Sequence, residues 1–158
     1  MSLKIFIHGL HSGNQGTKAL FFRENFPDML TPNFPGDLRE RMEKLNTILS
    51  GKSEIKIVGS SFGGLMASIF AMENEPSVDK LILLAPAINL IGMTDYLNRG
   101  LDTPVIIYHG TNDDVIPLES IEPIAVKCFK NLTFNKVEDD HMLHDTFKTI
   151  DWDFQLEK

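Results

Sequence analysis

The sequence predicts an α/β protein, a three-layer α/β/α sandwich of about six mostly parallel strands, and three observations predict it. Short apolar runs alternate with amphipathic segments along the whole of the 158-residue chain, which implies parallel strands joined by right-handed crossovers. The runs are near-continuous Ile, Val and Leu, as in a sheet covered on both faces. Small and polar residues gather at the carboxyl ends of those runs ("HGLHSG", "VGSSFGG", "APAI", "HGTNDD" and "VEDDH"), where ligands bind in such sheets.

In chain order, "LKIFIH" (3–8) reads as a buried strand and "GTKALFFRENF" (16–26) as a helix. "DMLTPNFP" (28–35) reads as a brief strand running into a Pro-rich loop. The segment 36–50 sets Leu38, Met42, Leu45 and Leu49 at helical spacing, and Gly51 follows as a stop. "EIKIVG" (54–59) is the next strand, and "FGGLMASIFAMEN" (62–74) is a helix ending before Pro76. Strands are expected at 80–86, 103–110 and 132–137, and helices at 118–130 and 142–154.

Composition narrows the function classes. A hydrophobic share of 42% suits one globular domain with a substantial core. A net charge of −7 argues against nucleic acid and against an anionic membrane as partners. No run of 18 apolar residues is present, and the start, "MSLKIFIHG", lacks the features of a signal peptide, so a cytoplasmic location is expected. Cys128 is the only cysteine, which leaves no disulfide framework.

Gly59-Ser60-Ser61-Phe62-Gly63 fits G-x-S-x-G between a predicted strand and a predicted helix, the context in which that motif is a nucleophile elbow. Ser61 is then the exposed nucleophile. Ser60 points elsewhere and bonds locally to backbone. A serine hydroxyl needs a general base oriented by a third group, and for this elbow the acid precedes the histidine in the chain. "YHGTNDDVIP" offers Asp113 and Asp114, and "VEDDHMLHD" offers His141 and His144. His141 comes first after its strand, on the loop, and is favoured; His144 falls in the predicted helix. The backbone N–H groups of Phe62 and Leu10 are the candidate oxyanion donors. Gly9 lets that loop approach the substrate, His11 is a candidate substrate contact, and His8 reads as structural.

On these residues the chain resembles an α/β-hydrolase over nearly its whole length, from "IHGLHSG" to "DDHMLHD". Within that superfamily it is similar to small bacterial YqiA-type esterases and, more loosely, to serine hydrolases of the retinoblastoma-binding-protein-9 type. The carrying features are the His-Gly start of the first loop, "TKA", "PNFPGD", "VGSSFGG" and "APAI". The resemblance implies a single minimal α/β-hydrolase domain over 1–158, beginning at the family's third strand, with a short cap near 91–102. It implies an acyl-enzyme mechanism with a Ser61–Asp113–His141 triad and no cofactor or metal. The pattern His-Gly-x-x-Asp-x-x-x-Pro selects Asp113 over Asp114. In the cap, Met93, Tyr96 and Leu97 are expected to form, with Leu10, Phe62 and Met142, one wall of a shallow acyl pocket suited to a small ester or thioester.

Two other readings compete with a serine hydrolase. One is a non-catalytic binding or regulatory protein on the same scaffold, since fold does not imply function. The other is a metal-dependent hydrolase using "DDHMLHD", but its His-x-x-His spacing differs from the His-x-x-x-His of zinc-protease helices and leaves the serine elbow unexplained.

Overall fold

The computed structural model describes residues 2–157. Five strands form one sheet: β1 (Leu3–Ile7), β2 (Ile55–Ser60), β3 (Val78–Leu84), β4 (Val105–Gly110) and β5 (Leu132–Val137). They lie side by side in sequence order, and every pair is parallel. The helices are α1 (Thr17–Asn25), α2 (Leu38–Leu49), α3 (Phe62–Glu73), α4 (Glu122–Cys128) and α5 (Trp152–Glu157). Among the described residues, no helix is long and apolar enough to cross a membrane.

The sixth strand expected at 28–35 is reduced to one bridge, Ile5 to Leu30. Leu30 donates its N–H to Lys4 and accepts from the N–H of Phe6, both at 2.9 Å. Pro27, Pro32 and Pro35 flank it without N–H groups, so the ladder has little room to extend. The bridge nonetheless directs the topology. The chain leaves β1 for Leu30 on one side and returns to β2 on the other. Right-handed crossovers in opposite directions fall on opposite faces of the sheet. Accordingly α1 packs on one face, while α2, α3 and α4 pack on the other.

Strand alternation supplies both cores. Ile5, Ile7, Ile57, Leu81, Leu83 and Ile107 face Leu45 and Leu49 of α2, the apolar body of α3, and Ala125 and Cys128 of α4. Phe6, Val58, Ile82 and Leu84 face the other way, onto Phe22 of α1 and Trp152 and Leu156 of α5. Trp152 meets Phe22 edge-on with ring centroids 4.9 Å apart, a geometry aromatic quadrupoles favour. At the start of α2, Asp37 and Glu40 form a reciprocal capping box that satisfies two otherwise orphaned N–H groups.

Two expected helices differ from the structure. The helix at 118–130 is a 3₁₀ turn (Leu118–Ser120) followed by the shorter α4, with Pro123 in its first turn, where a missing N–H costs nothing. The helix at 142–154 does not form as one piece. Residues 141–146 are mostly turns, Phe147–Thr149 is 3₁₀, and only α5 is α-helical. The carboxylate of Asp139 takes the N–H groups of Asp145 and Thr146 and so competes with the helical pattern. His144 therefore lies in a turn rather than a helix. The cap is a 3₁₀ segment (Ile88–Met93) followed by turns.

Among the glycines, the one with least room for a side chain lies at the start of α3. A Cβ on Gly63 would stand 2.0 Å from the Ile7 carbonyl oxygen, against backbone that cannot move aside. Gly92 has open space around it. Gly63→Ala is expected to cost about 3 kcal/mol or to prevent folding, by the overpacking it forces. Gly92→Ala should remain within about 0.5 kcal/mol of the parent. Thermal and denaturant unfolding of the two variants side by side measures the contrast.

Candidate active site

Ser61 sits between β2 and α3 with φ 55° and ψ −116°, a conformation that L-residues rarely adopt. Such strain costs about 1–3 kcal/mol and persists only where surrounding bonds hold it. Here the Ser61 N–H donates to Leu84, and its carbonyl accepts from the N–H groups of Gly64 and Ala87, each at 2.9 Å. The turn also folds tightly on itself. A Cβ on Gly59 would lie 2.5 Å from the Gly63 carbonyl oxygen. The outcome is a serine lifted out of the strand, with its Oγ 3.2 Å from Nε2 of His141.

His141 follows β5 and Asp113 follows β4. The Nδ1 of His141 lies 2.8 Å from Oδ2 of Asp113. An ionised carboxylate only accepts, so Nδ1 carries the proton, and Nε2 is left to accept from the serine hydroxyl. Asp113 is buried, and its oxygens are all engaged. Oδ1 accepts from the N–H groups of Val115 (2.9 Å) and Ile116 (2.7 Å), and Oδ2 also lies 3.3 Å from Nε2 of His109. Asp114 is exposed and takes no part in this network.

The two histidines of "DDHMLHD" face different carboxylates. His141 meets Asp113, while the exposed His144 pairs with Asp140 across 2.6 Å. Two side chains that sequence reading did not single out organise this region. His109, fully buried behind Asp113, also lies 2.8 Å from the Ile116 carbonyl, which fixes its proton on Nε2. Asp139 anchors the loop carrying His141 by accepting from the N–H groups of Asp140 (2.8 Å), Asp145 (3.1 Å) and Thr146 (2.7 Å). The "DDH" after a strand is a turn signal that points to Asp139. His109 stands near the end of β4, and the pattern His-Gly-x-x-Asp-x-x-x-Pro contains it, but only the fold shows that it packs behind Asp113.

The candidate oxyanion donors flank the serine. Phe62 is the first residue of α3, and Gly9 packs so closely on Ser61 that a Cβ on it would lie 3.4 Å from the Ser61 Cβ. The N–H of Gly9 itself is taken by the Ser12 hydroxyl at 3.0 Å. Among the described residues, neither Leu10 N–H nor Phe62 N–H has a protein acceptor.

A cavity of about 630 Å³ opens over Ser61. Gly9, Leu10, His11, Phe62 and Met142 line it, together with Leu90, Val115 and Ile116. This differs from the expected shallow cleft walled by the cap. Tyr96 and Leu97 do not line the cavity: both pack against the α2–α3–α4 core, and the Tyr96 hydroxyl donates to Glu73. The cap folds inward because its apolar side chains have buried surface within reach. The side chain of Met93 lies outside the described residues. Ser60 lines the cavity too, and among the described residues its hydroxyl has no backbone hydrogen bond of the kind expected.

No family model and no curated protein matches the chain. Solved structures do. Alpha/beta hydrolase domain-containing protein 10 from mouse superposes with a TM-score of 0.76 at 16% identity, over 91% of this chain and 83% of that one. Est1E from Butyrivibrio proteoclasticus, with ferulic acid bound, gives 0.76 at 18% identity, over 99% and 89%. A putative hydrolase of the alpha/beta superfamily from Xanthomonas campestris pv. campestris gives 0.74 at 22% identity, over 94% and 93%. The fold is that of the α/β-hydrolases, and the likeness selects no subfamily within it.

The pKa of Asp139 lies below the usual carboxylate value: burial pushes it up, but the hydrogen bonds from Thr146 and Asp140 outweigh burial. Below about pH 4 the unfolded chain takes up a proton that the folded one refuses, so the stability Asp139 supplies is lost as pH falls through that range. Asp139→Ala is expected to cost about 1–3 kcal/mol at neutral pH and to flatten the acid limb of the stability curve below about pH 4. Urea unfolding at stepped pH measures both.

Proposed function

We propose that the protein is a serine hydrolase that cleaves a small carboxylic ester or thioester through an acyl-enzyme, without cofactor or metal. The unbroken chain from Ser61 to His141 to Asp113, at 3.2 Å and 2.8 Å on the rim of an apolar cavity, carries the reading. His141 Nε2 takes the hydroxyl proton as Ser61 Oγ attacks the carbonyl carbon. Asp113 keeps the imidazole in the required tautomer and stabilises its cation. The negative charge on the carbonyl oxygen falls to the N–H groups of Phe62 and Leu10. Collapse expels the alcohol or thiol, which receives the proton from His141, and a water deprotonated by the same nitrogen then releases the acid.

The cavity supports the substrate class. Its volume is within the range of small-molecule sites, and its apolar lining suits the hydrocarbon part of an acyl or alcohol group. The solved neighbours include an esterase and a monoacylglycerol lipase, which agrees with this chemistry.

Labelling with a fluorophosphonate, followed by peptide mapping, tests the proposal. A single adduct on Ser61, absent from denatured protein and from His141→Ala, is expected. A folded protein that takes no label would favour the binding-protein reading. On aryl esters, Ser61→Ala should lose about 10⁴-fold or more in kcat, and Ser60→Ala should keep most turnover. Asp113→Asn should fall by about 10⁴-fold, because the amide favours the wrong imidazole tautomer, while Asp114→Asn should stay within about twofold. Equal effects at 113 and 114 would remove the role given to Asp113.

A further inference from the structure

Arg41, on α2, is 4% exposed, and among the described residues its guanidinium has no carboxylate partner. A buried cation without an anion is costly unless its donors are satisfied. The donors of Arg41 go to backbone carbonyls: Nε to Gly36 at 2.8 Å, Nη2 to Leu10 at 3.1 Å and Nη1 to Gly9 at 3.5 Å. Its planar head also lies over the Phe62 ring, 5.4 Å from the centroid. One side chain therefore touches the loop after β1 and the residue after the nucleophile, the two segments that carry the candidate oxyanion donors.

The Gly9 carbonyl has a second, shorter hold. His8 is buried, and its Nε2 accepts the Phe34 N–H at 2.8 Å, so Nδ1 carries the proton and donates it to Gly9 O at 2.7 Å. In a trans peptide the carbonyl of one residue and the N–H of the next point in opposite directions. Whatever holds Gly9 C=O toward α2 therefore turns Leu10 N–H the other way, toward the cavity that Leu10 lines. A flip of this one peptide would put a carbonyl where the oxyanion needs a donor.

We propose that Arg41 is a positioning residue which, with His8, clamps the Gly9–Leu10 peptide so that the oxyanion hole is formed before substrate arrives. The inference rests on the serine-hydrolase reading. Arg41 also places a positive charge beside the Gly9 and Leu10 carbonyls, and its contact with the Phe62 ring links that loop to the residue carrying the second donor. Arg is suited to this place because its planar fork spans several carbonyls at once, whereas the lysine ammonium is a single point donor.

The test compares Arg41→Ala, Arg41→Met and Arg41→Lys with the parent on an aryl ester and on an alkyl trifluoromethyl ketone, whose adduct with a serine carries an oxyanion. Arg41→Met keeps the aliphatic packing and removes the guanidinium. The expected result is a fall in kcat of about 10²-fold in the Ala and Met variants with KM within about threefold, since a donor acting in the transition state is lost. Ketone affinity should fall in parallel, thermal unfolding should shift by only a few degrees, and the Lys variant should lie between. Unchanged kcat and ketone affinity in a folded variant would overturn the proposal, as would lost turnover with full ketone affinity. Failure of all three variants to fold would overturn it too, making Arg41 a strut of the core. Parent protein that reacts with neither the ketone nor a fluorophosphonate would instead defeat the hydrolase reading.

Discussion

The backbone at Ser61 is the constraint on which the rest of the site depends. A strand that ends and a helix that begins with one residue between them leave that residue no relaxed conformation, and Ser61 takes up the turn with a positive φ. The strain is held by α3 pressing against the end of β1, closely enough that only glycine fits at Gly63. The same approach brings the loop after β1 alongside the serine. Ser61, the N-terminus of α3 and the candidate oxyanion loop are thus placed together where the neighbouring strands β1 and β2 end.

Around that turn the polar groups are arranged so that each has one role. Asp113 spends Oδ1 on two backbone N–H groups and Oδ2 on His141, with His109 packed 3.3 Å behind it, which leaves its carboxylate little freedom to rotate. His141 is fixed from one side by Asp113 and through its loop by Asp139. His8 and Arg41 do for the opposite wall what His109 and Asp139 do for Asp113 and His141. Apart from Nδ1 of His109, which has no hydrogen-bond partner among the described residues, these buried polar groups are satisfied, the condition under which such networks rigidify a site instead of destabilising it.

Much of the fold was legible because it follows from periodicity and from chain order. Five strands, their parallel pairing and the elbow at Ser61 all rest on local patterns, and the amphipathic run of α2 is marked by its capping box. The bridge at Leu30 was legible only as a weak strand, since prolines cut its ladder short while leaving its topological role intact. The region 142–154 was misread because apolar spacing cannot show that a carboxylate at Asp139 captures the backbone N–H groups a helix would need. The cap was misread in the same way: Tyr96 and Leu97 are apolar enough for a pocket wall, but a buried core lay within their reach.

By itself, then, the sequence determined the class of sheet, the strand ends where polar residues gather, and the order of serine, acid and histidine along the chain. These are properties of one chain read in one dimension, set by side-chain period and turn chemistry. Only the tertiary structure decided which groups meet: that Asp113 is buried beside His141 while Asp114 faces solvent, that His109 stands behind the carboxylate, and that Arg41 reaches from α2 to the Gly9 and Leu10 carbonyls. Those contacts join residues whose separation along the chain carries no periodic signal. They arise from how helices cross a twisted sheet, and no local pattern encodes that.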